Sequence, residues 1–166
     1  MPPTLPDIRV RRATLADVAA LARHRVGMYR DMGHIPESDE ARFLDASAAY
    51  FRSALASGEY LAWLAVTTTP PEEIVSGAGL IVRPMIPRPG TAGGIEVRDA
   101  QVVNVYTEVA WRRRGLAALV MRHLLDYTSA NKLKRVSLHA SDDGRPLYAS
   151  LGSEPTNEMR LAPPAE

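Results

Sequence analysis

Residues 102–140 restrict the possible folds more than any other part of the chain. "VVNVYT", Val102 to Thr107, is an apolar run of strand character. Beyond it Leu116, Leu119, Val120, Leu124 and Tyr127 recur at helical spacing, and "KRVSLHA" is strand-like again. Strand, helix, strand with a single crossover helix predicts a parallel pair joined in the right-handed sense.

The flanking sequence supplies partners for that unit. A short strand is predicted from Ile8 to Arg11, and Thr14 with Asp17 three residues later has the pattern of a helix N-cap box. Leu15, Val18, Ala19, Ala22, Val26 and Tyr29 then form one apolar face, broken at "GHIP". A second helix is predicted from Ser38, with Phe43, Leu44, Ser47, Tyr50, Phe51 and Leu55 in phase up to Gly58. "YLAWLAVTTT" and "IVSGAGLIV", separated by "PPEE", read as an antiparallel hairpin. The prolines and glycines of "RPMIPRPGTAGG" predict a long loop, a short helix is expected near "GRPLYASLG", and a last strand near "NEMRL".

At 166 residues the chain is the size of one domain, 1–166, with a sizeable core. The proline-rich ends, 1–6 and 162–166, are expected to fray. Twenty Lys and Arg nearly balance 19 Asp and Glu, so any function that depends on charge is local. That balance, with no aromatic interleaving in the basic stretches, argues against nucleic-acid binding through Arg112–Arg114, Lys132, Lys134 and Arg135. Cysteine is absent, which removes disulfides, thiolate ligands and a cysteine nucleophile and fits a reducing cytoplasm. "MPPTLPDIRV" has no apolar signal core and no long apolar run follows, so neither export nor membrane insertion is expected. His24 and His34 have no partner at ligand spacing, and no metal is expected.

The chemistry concentrates where the strand meets the helix. In "WRRRGLAALV", Arg112, Gly115 and Ala117 follow the order Arg, two residues, Gly, one residue, Gly or Ala. The first turn of a helix offers N–H groups without intrahelical partners and the positive end of the dipole, so it takes anions, phosphate above all. Gly115 allows close approach to the backbone, and Arg112, Arg113 and Arg114 add charge-assisted donors with phosphate-matching geometry. An arginine cluster is otherwise ordinary solvated surface. The nucleotide-hydrolase loop needs Gly-Lys-Ser/Thr, and the dinucleotide fingerprint needs three spaced glycines; neither is present.

"RRRGLA", preceded by "VVNVYTEVAW" and followed by "LHASDDGRPLYASLGSEPTNEMRL", resembles the GNAT superfamily of acyl-CoA-dependent N-acetyltransferases. The resemblance implies a single-domain α/β fold: a mixed central sheet of six to seven strands, splayed parallel central strands, and about four flanking helices. It implies acetyl-CoA as co-substrate, its pantetheine arm along the backbone of Val105, Tyr106 and Thr107. Its diphosphate would lie on Arg112, Arg113, Arg114, Gly115, Leu116 and Ala117, with a further contact at Ser141, where relatives carry asparagine. Tyr148 matches the tyrosine that protonates the departing thiolate; read alone it is a core tyrosine with a satisfied hydroxyl. Glu108 is a candidate base and Asn104 a candidate for orienting water or the amine, with a solvated carboxylate and a strand-bulge residue as their ordinary readings. His139 is a further candidate base, since histidine titrates near neutrality, and reads equally as a core residue or one packed against a neighbouring strand.

Met28, Tyr29 and Met32, with His34, Ile35, Met85 and Ile86, are the expected substrate surface; each alone reads as packing. Glu37, Asp39, Glu40, Glu96 and Asp99 are candidates for attracting a cationic amine. The expected partner is a small-molecule or peptide amine, with neither nucleic acid nor membrane, and a homodimer follows the habit of relatives. The contrasting reading is a non-catalytic acyl-CoA sensor. Ser153 stands where the family's Leu-Gly-Phe turn has its aromatic, which bears on packing of the last turn.

Overall fold

The computed structural model describes residues 7–90 and 93–161. Its order is β1 (Ile8–Arg12), α1 (Val18–Asp31), α2 (Glu40–Ser57), β2 (Tyr60–Thr67), β3 (Ile74–Pro89), β4 (Ile95–Thr107), α3 (Leu116–Ala130), β5 (Val136–Leu138) and α4 (Arg145–Ser150). The expected fraying of 1–6 and 162–166 lies outside the described residues.

The five strands form one sheet in the order β1-β2-β3-β4-β5. The first four are antiparallel neighbours and β4 with β5 is the parallel pair. The described residues are α/β with a mixed sheet and four α-helices, as expected, but the sheet among them is smaller than the six to seven strands anticipated and β5 stands at its edge. The strand expected near "NEMRL" does not form: residues 153–161 carry no regular element, and Met159 and Leu161 are exposed. With Ser153 in the turn after α4, no large apolar side chain is there to draw this segment onto the sheet.

β2 shows how the layers are divided. Trp63 and Ala65 join Val75, Leu80, Val102, Leu116, Val120 and Leu124 beneath α3. Tyr60, Ala62, Leu64 and Val66 join Val18, Leu21 and Phe51 beneath α1 and α2. A strand buried on both faces reads as a continuous apolar run rather than an alternation.

The Thr14–Asp17 capping box is formed, although the first turn, Leu15–Asp17, is 3₁₀. Leu15 and Ala19, expected on the buried face, are exposed; Ala20, Leu21, His24 and Gly27 are buried instead. "RPMIPRP" is strand rather than loop, because β3 continues to Pro89. β2 pairs with β3 only as far as Ile81, so beyond it one edge of β3 has no strand partner among the described residues, and prolines lacking an N–H are tolerated there.

Candidate active site

β4 and β5 pair through Ala100–Val102 and Val136–Leu138 only. β4 continues to Thr107, so five residues, Val103 to Thr107, run past the last pairing with β5. This is the splay expected of the parallel pair. Within it, Asn104 and Val105 stand opposite the single residue Ala78, a bulge, and Asn104 adopts a left-handed φ of +56°. Its side chain is buried and turns towards α1, where Nδ2 donates to the Leu21 carbonyl at 3.2 Å, while Oδ1 has no partner among the described residues. The Asn104 amide thus ties α1 to the sheet.

The end of β4 is held from both sides. The Tyr106 carbonyl accepts from the buried Ser76 hydroxyl at 2.9 Å, and the two hydroxyls of Ser76 and Thr107 lie 2.8 Å apart. Arg112 donates from Nε to the Thr107 carbonyl at 3.0 Å, pairs with Asp31 on α1, and lies 5.4 Å over the Tyr106 ring. Arg112 therefore braces the loop against α1, and the outward-facing cations are Arg113 and Arg114. Both are exposed; Arg113 has a φ of +63°, and Arg114 rests over Trp111 at 5.0 Å.

Between strand and helix lies a 3₁₀ turn, Val109–Trp111, not foreseen in the sequence. Gly115 then caps α3 at φ +77°, with no side-chain cap on the helix and nothing within 4 Å of where a Cβ would project. Leu116 is buried beneath the helix and Ala117 keeps the surface beside Gly115 low. The first-turn N–H groups thus face an open, uncapped end beside Arg113 and Arg114, which suits a diphosphate.

Tyr148, on α4, packs its ring against the core beneath α3, and burial raises its phenol above the ordinary value, keeping it protonated. Ser141 serves α4: its hydroxyl accepts from the Gly144 N–H at 3.2 Å and its carbonyl from the N–H groups of Gly144 and Arg145. His139 is exposed and pairs with Glu158 at 3.0 Å, outside the core.

Glu108 follows β4 and donates its N–H to the Val75 carbonyl at 2.9 Å. Its carboxylate lines a pocket of about 350 Å³ with Arg23, Glu72 and Glu73, and Oε1 lies 3.4 Å from Nε2 of His24. His24 is fully buried, and burial with neighbouring Arg23 lowers its pKa to about 4. Sequence reasoning passed over His24 as a site residue; its place on the buried face of α1, three residues after Leu21, is the signal that could have drawn attention to it.

Of the expected substrate surface, Tyr29, His34 and Ile35 come together in a second pocket of about 480 Å³, with Pro36, Asp39, Arg42, Phe43 and Ala46. Met28 and Met32 are partly exposed outside that lining, and Met85 and Ile86 lie on β3. Three of the acids expected to attract an amine are already paired: Glu40 with Arg30, Glu96 with Arg88 and Asp99 with Arg83. Among the described residues no group of three or more His, Asp or Glu is placed to hold a metal, and no helix is long and apolar enough to cross a membrane.

Residues 88–161 match the family model described as an acetyltransferase (GNAT) domain. A GCN5-related N-acetyltransferase from Ralstonia eutropha JMP134 is 25% identical, superimposes with a TM-score of 0.81, and is matched over 94% of this chain and 98% of its own. A predicted acetyltransferase from Clostridium acetobutylicum, solved with acetyl-CoA, is 23% identical with a TM-score of 0.77 over 95% of this chain and 96% of its own. A ribosomal-protein-alanine N-acetyltransferase from Brucella melitensis biovar Abortus 2308 shares the fold at 16% identity, with a TM-score of 0.66 over 96% of this chain and all of its own. No curated protein matches the sequence.

Proposed function

We propose that this chain is a GNAT-superfamily acetyltransferase that transfers an acetyl group from acetyl-CoA to a primary amine of a small molecule or peptide, a reading supported by the family model matched over residues 88–161 and by the shared fold. The observation that carries the reading is the open edge of β4, Val103 to Thr107, leading to the uncapped N-terminus of α3 at Gly115. An extended arm adds to such an edge as a strand would, and a diphosphate suits the helix end beside Arg113 and Arg114. Acetyl-CoA supplies, when bound, an acetyl group already activated as a thioester.

The chain's own residues then have separable tasks. A backbone N–H near Val105 to Thr107 polarises the acetyl carbonyl. Arg112 fixes the end of that strand by holding the Thr107 carbonyl and Asp31 together. Glu108 receives the proton of the incoming ammonium, and its pocket of about 350 Å³ leads that proton towards solvent. Tyr148, held protonated by its burial, gives its phenolic proton to the leaving sulfur. Asn104 acts through the bulge and the position of α1. Tyr29 and the pocket around it receive the amine's apolar body, with Met28 and Met32 at its margin. Cytoplasmic residence suits the use of acetyl-CoA, and a homodimer suits the family.

The test is acetyl transfer from acetyl-CoA to a panel containing ethanolamine, putrescine, benzylamine and an alanine-led peptide, for wild type and Tyr148→Phe. Transfer that falls about a hundredfold in the variant, with acetyl-CoA affinity preserved, supports the enzymatic reading. Protein that binds acetyl-CoA and acetylates nothing favours the sensor reading instead.

A further inference from the structure

Among the described residues, His24 is buried without a hydrogen-bond partner. Its exposure is 0%, and neither Nδ1 nor Nε2 makes a hydrogen bond. Leaving two ring nitrogens unpaired in a core is unfavourable, and an apolar residue of similar size would avoid it. The ring is also closely confined. Tyr106 of β4 lies 5.1 Å away between ring centroids, at an interplanar angle of 44°, and a Cβ added to Gly77 of β3 would stand 3.3 Å from Nδ1. A polar group from outside α1 comes within reach of the ring: Oε1 of Glu108, 3.4 Å from Nε2.

We propose that His24 is a positioning residue for Glu108, its confined Nε2 setting the direction of the carboxylate at the end of β4. This rests on the reading of Glu108 as the proton acceptor. The groups that face His24 are Tyr106 from β4, the Glu108 carboxylate after it, the backbone of β3 at Gly77, and Arg23 from its own helix. Asp31 and Arg112 approach the far side of the system through Tyr106. Glu108 is one-third exposed and lines a pocket, so its carboxylate has room to rotate, whereas the ring does not. A small rotation of Glu108 brings Oε1 into hydrogen-bonding distance of a neutral Nε2–H. The ring's low pKa, about 4, favours that neutral form at physiological pH. A neutral donor orients the carboxylate without neutralising it, so Glu108 remains able to accept a proton.

The contact is read without cofactor by long-range ¹H–¹⁵N spectroscopy of the full chain, for wild type and Glu108→Gln. The expected result is a neutral His24 ring from about pH 5.5 to 9, with the proton on Nε2 and ring resonances that shift in Glu108→Gln. Ring nitrogens indifferent to Glu108→Gln would overturn the proposal.

Kinetics supply the second arm, with acetyl-CoA and whichever amine of the panel is acetylated. His24→Leu is expected to lower kcat about tenfold or more, to leave KM for acetyl-CoA within about twofold, and to move the acid limb of the pH profile. His24→Gln, which keeps a donor near the position of Nε2, should recover most of the rate. A lower melting temperature in His24→Leu with an unchanged pH profile and no recovery in His24→Gln would mean a packing role alone and would also overturn the proposal. If nothing is acetylated yet the ring responds to Glu108→Gln, the transfer reading fails while the contact stands.

Discussion

Gly27→Ala, in the interior of α1, tests how closely that helix is fitted to the end of β4. A Cβ at this position would lie 2.7 Å from both Cζ and Oη of Tyr106 and 3.1 Å from Cε2. An ordinary carbon contact needs about 3.5 Å or more, so the ring must retreat by roughly 1 Å. Overpacking of that kind costs about 1–3 kcal/mol, whereas removing glycine from a helix interior returns about 1 kcal/mol of propensity. The net expectation is a loss of about 1 kcal/mol, or about 2–4 °C in the thermal midpoint for a domain of this size.

The retreat should also disturb the face of Tyr106 that meets His24 and the one beneath Arg112. The assay is thermal unfolding followed by circular dichroism, run as a double-mutant cycle with Tyr106→Ala. Without the ring there is nothing to overpack, and Gly27→Ala should then stabilise by about 1 kcal/mol. If Gly27→Ala destabilises equally in both backgrounds, or stabilises the wild type, the steric argument is wrong.

Two further outcomes concern acid and the helix cap. The folded pKa of His24, about 4, lies below its ordinary value, so the unfolded chain binds more protons between about pH 6.5 and 4. Stability should fall as pH drops through that window, by about 3 kcal/mol in all, and urea melts of His24→Leu should lose that slope. Below it Asp17 takes over: its paired hydrogen bonds from Arg11, each 2.8 Å, and the Thr14 N–H hold its carboxyl below the ordinary range. That contribution is present above about pH 4 and is lost as pH falls through the lowered value, so Asp17→Asn should remove the dependence. Gly115→Ala meets no neighbour but must hold a φ of +77°, so strain alone should cost about 1 kcal/mol in calorimetry. A loss of several kcal/mol would place an unrecognised contact at this turn.

What the sequence disclosed was local. The Thr14–Asp17 box, the face of α3 and the Arg-x-x-Gly-x-Ala turn each depend on residues a few positions apart, and each formed. The prolines of β3 misled because their tolerance depends on where β2 ends, which spacing along β3 does not encode. Spacing alone groups the three arginines as one phosphate cluster and does not reveal that Arg112 also pairs with Asp31, 81 residues away in sequence. Sequence spacing does not show that Glu40, Glu96 and Asp99 pair with Arg30, Arg88 and Arg83, which leaves them less available to an amine. His24 reaches Glu108 only through the packing of α1 across β4, so its role was not written in any motif.

The central claim is that the open end of α3 holds the diphosphate of acetyl-CoA. Its most direct test is calorimetric titration of acetyl-CoA into wild type and the Arg113→Ala/Arg114→Ala double variant, with Arg112 left in place to brace the loop. Charge-assisted hydrogen bonds are worth about 1.5–3 kcal/mol each, so a well-folded double variant should bind at least about a hundredfold more weakly. Unchanged affinity in the variant, or no binding by folded wild type, would contradict the account.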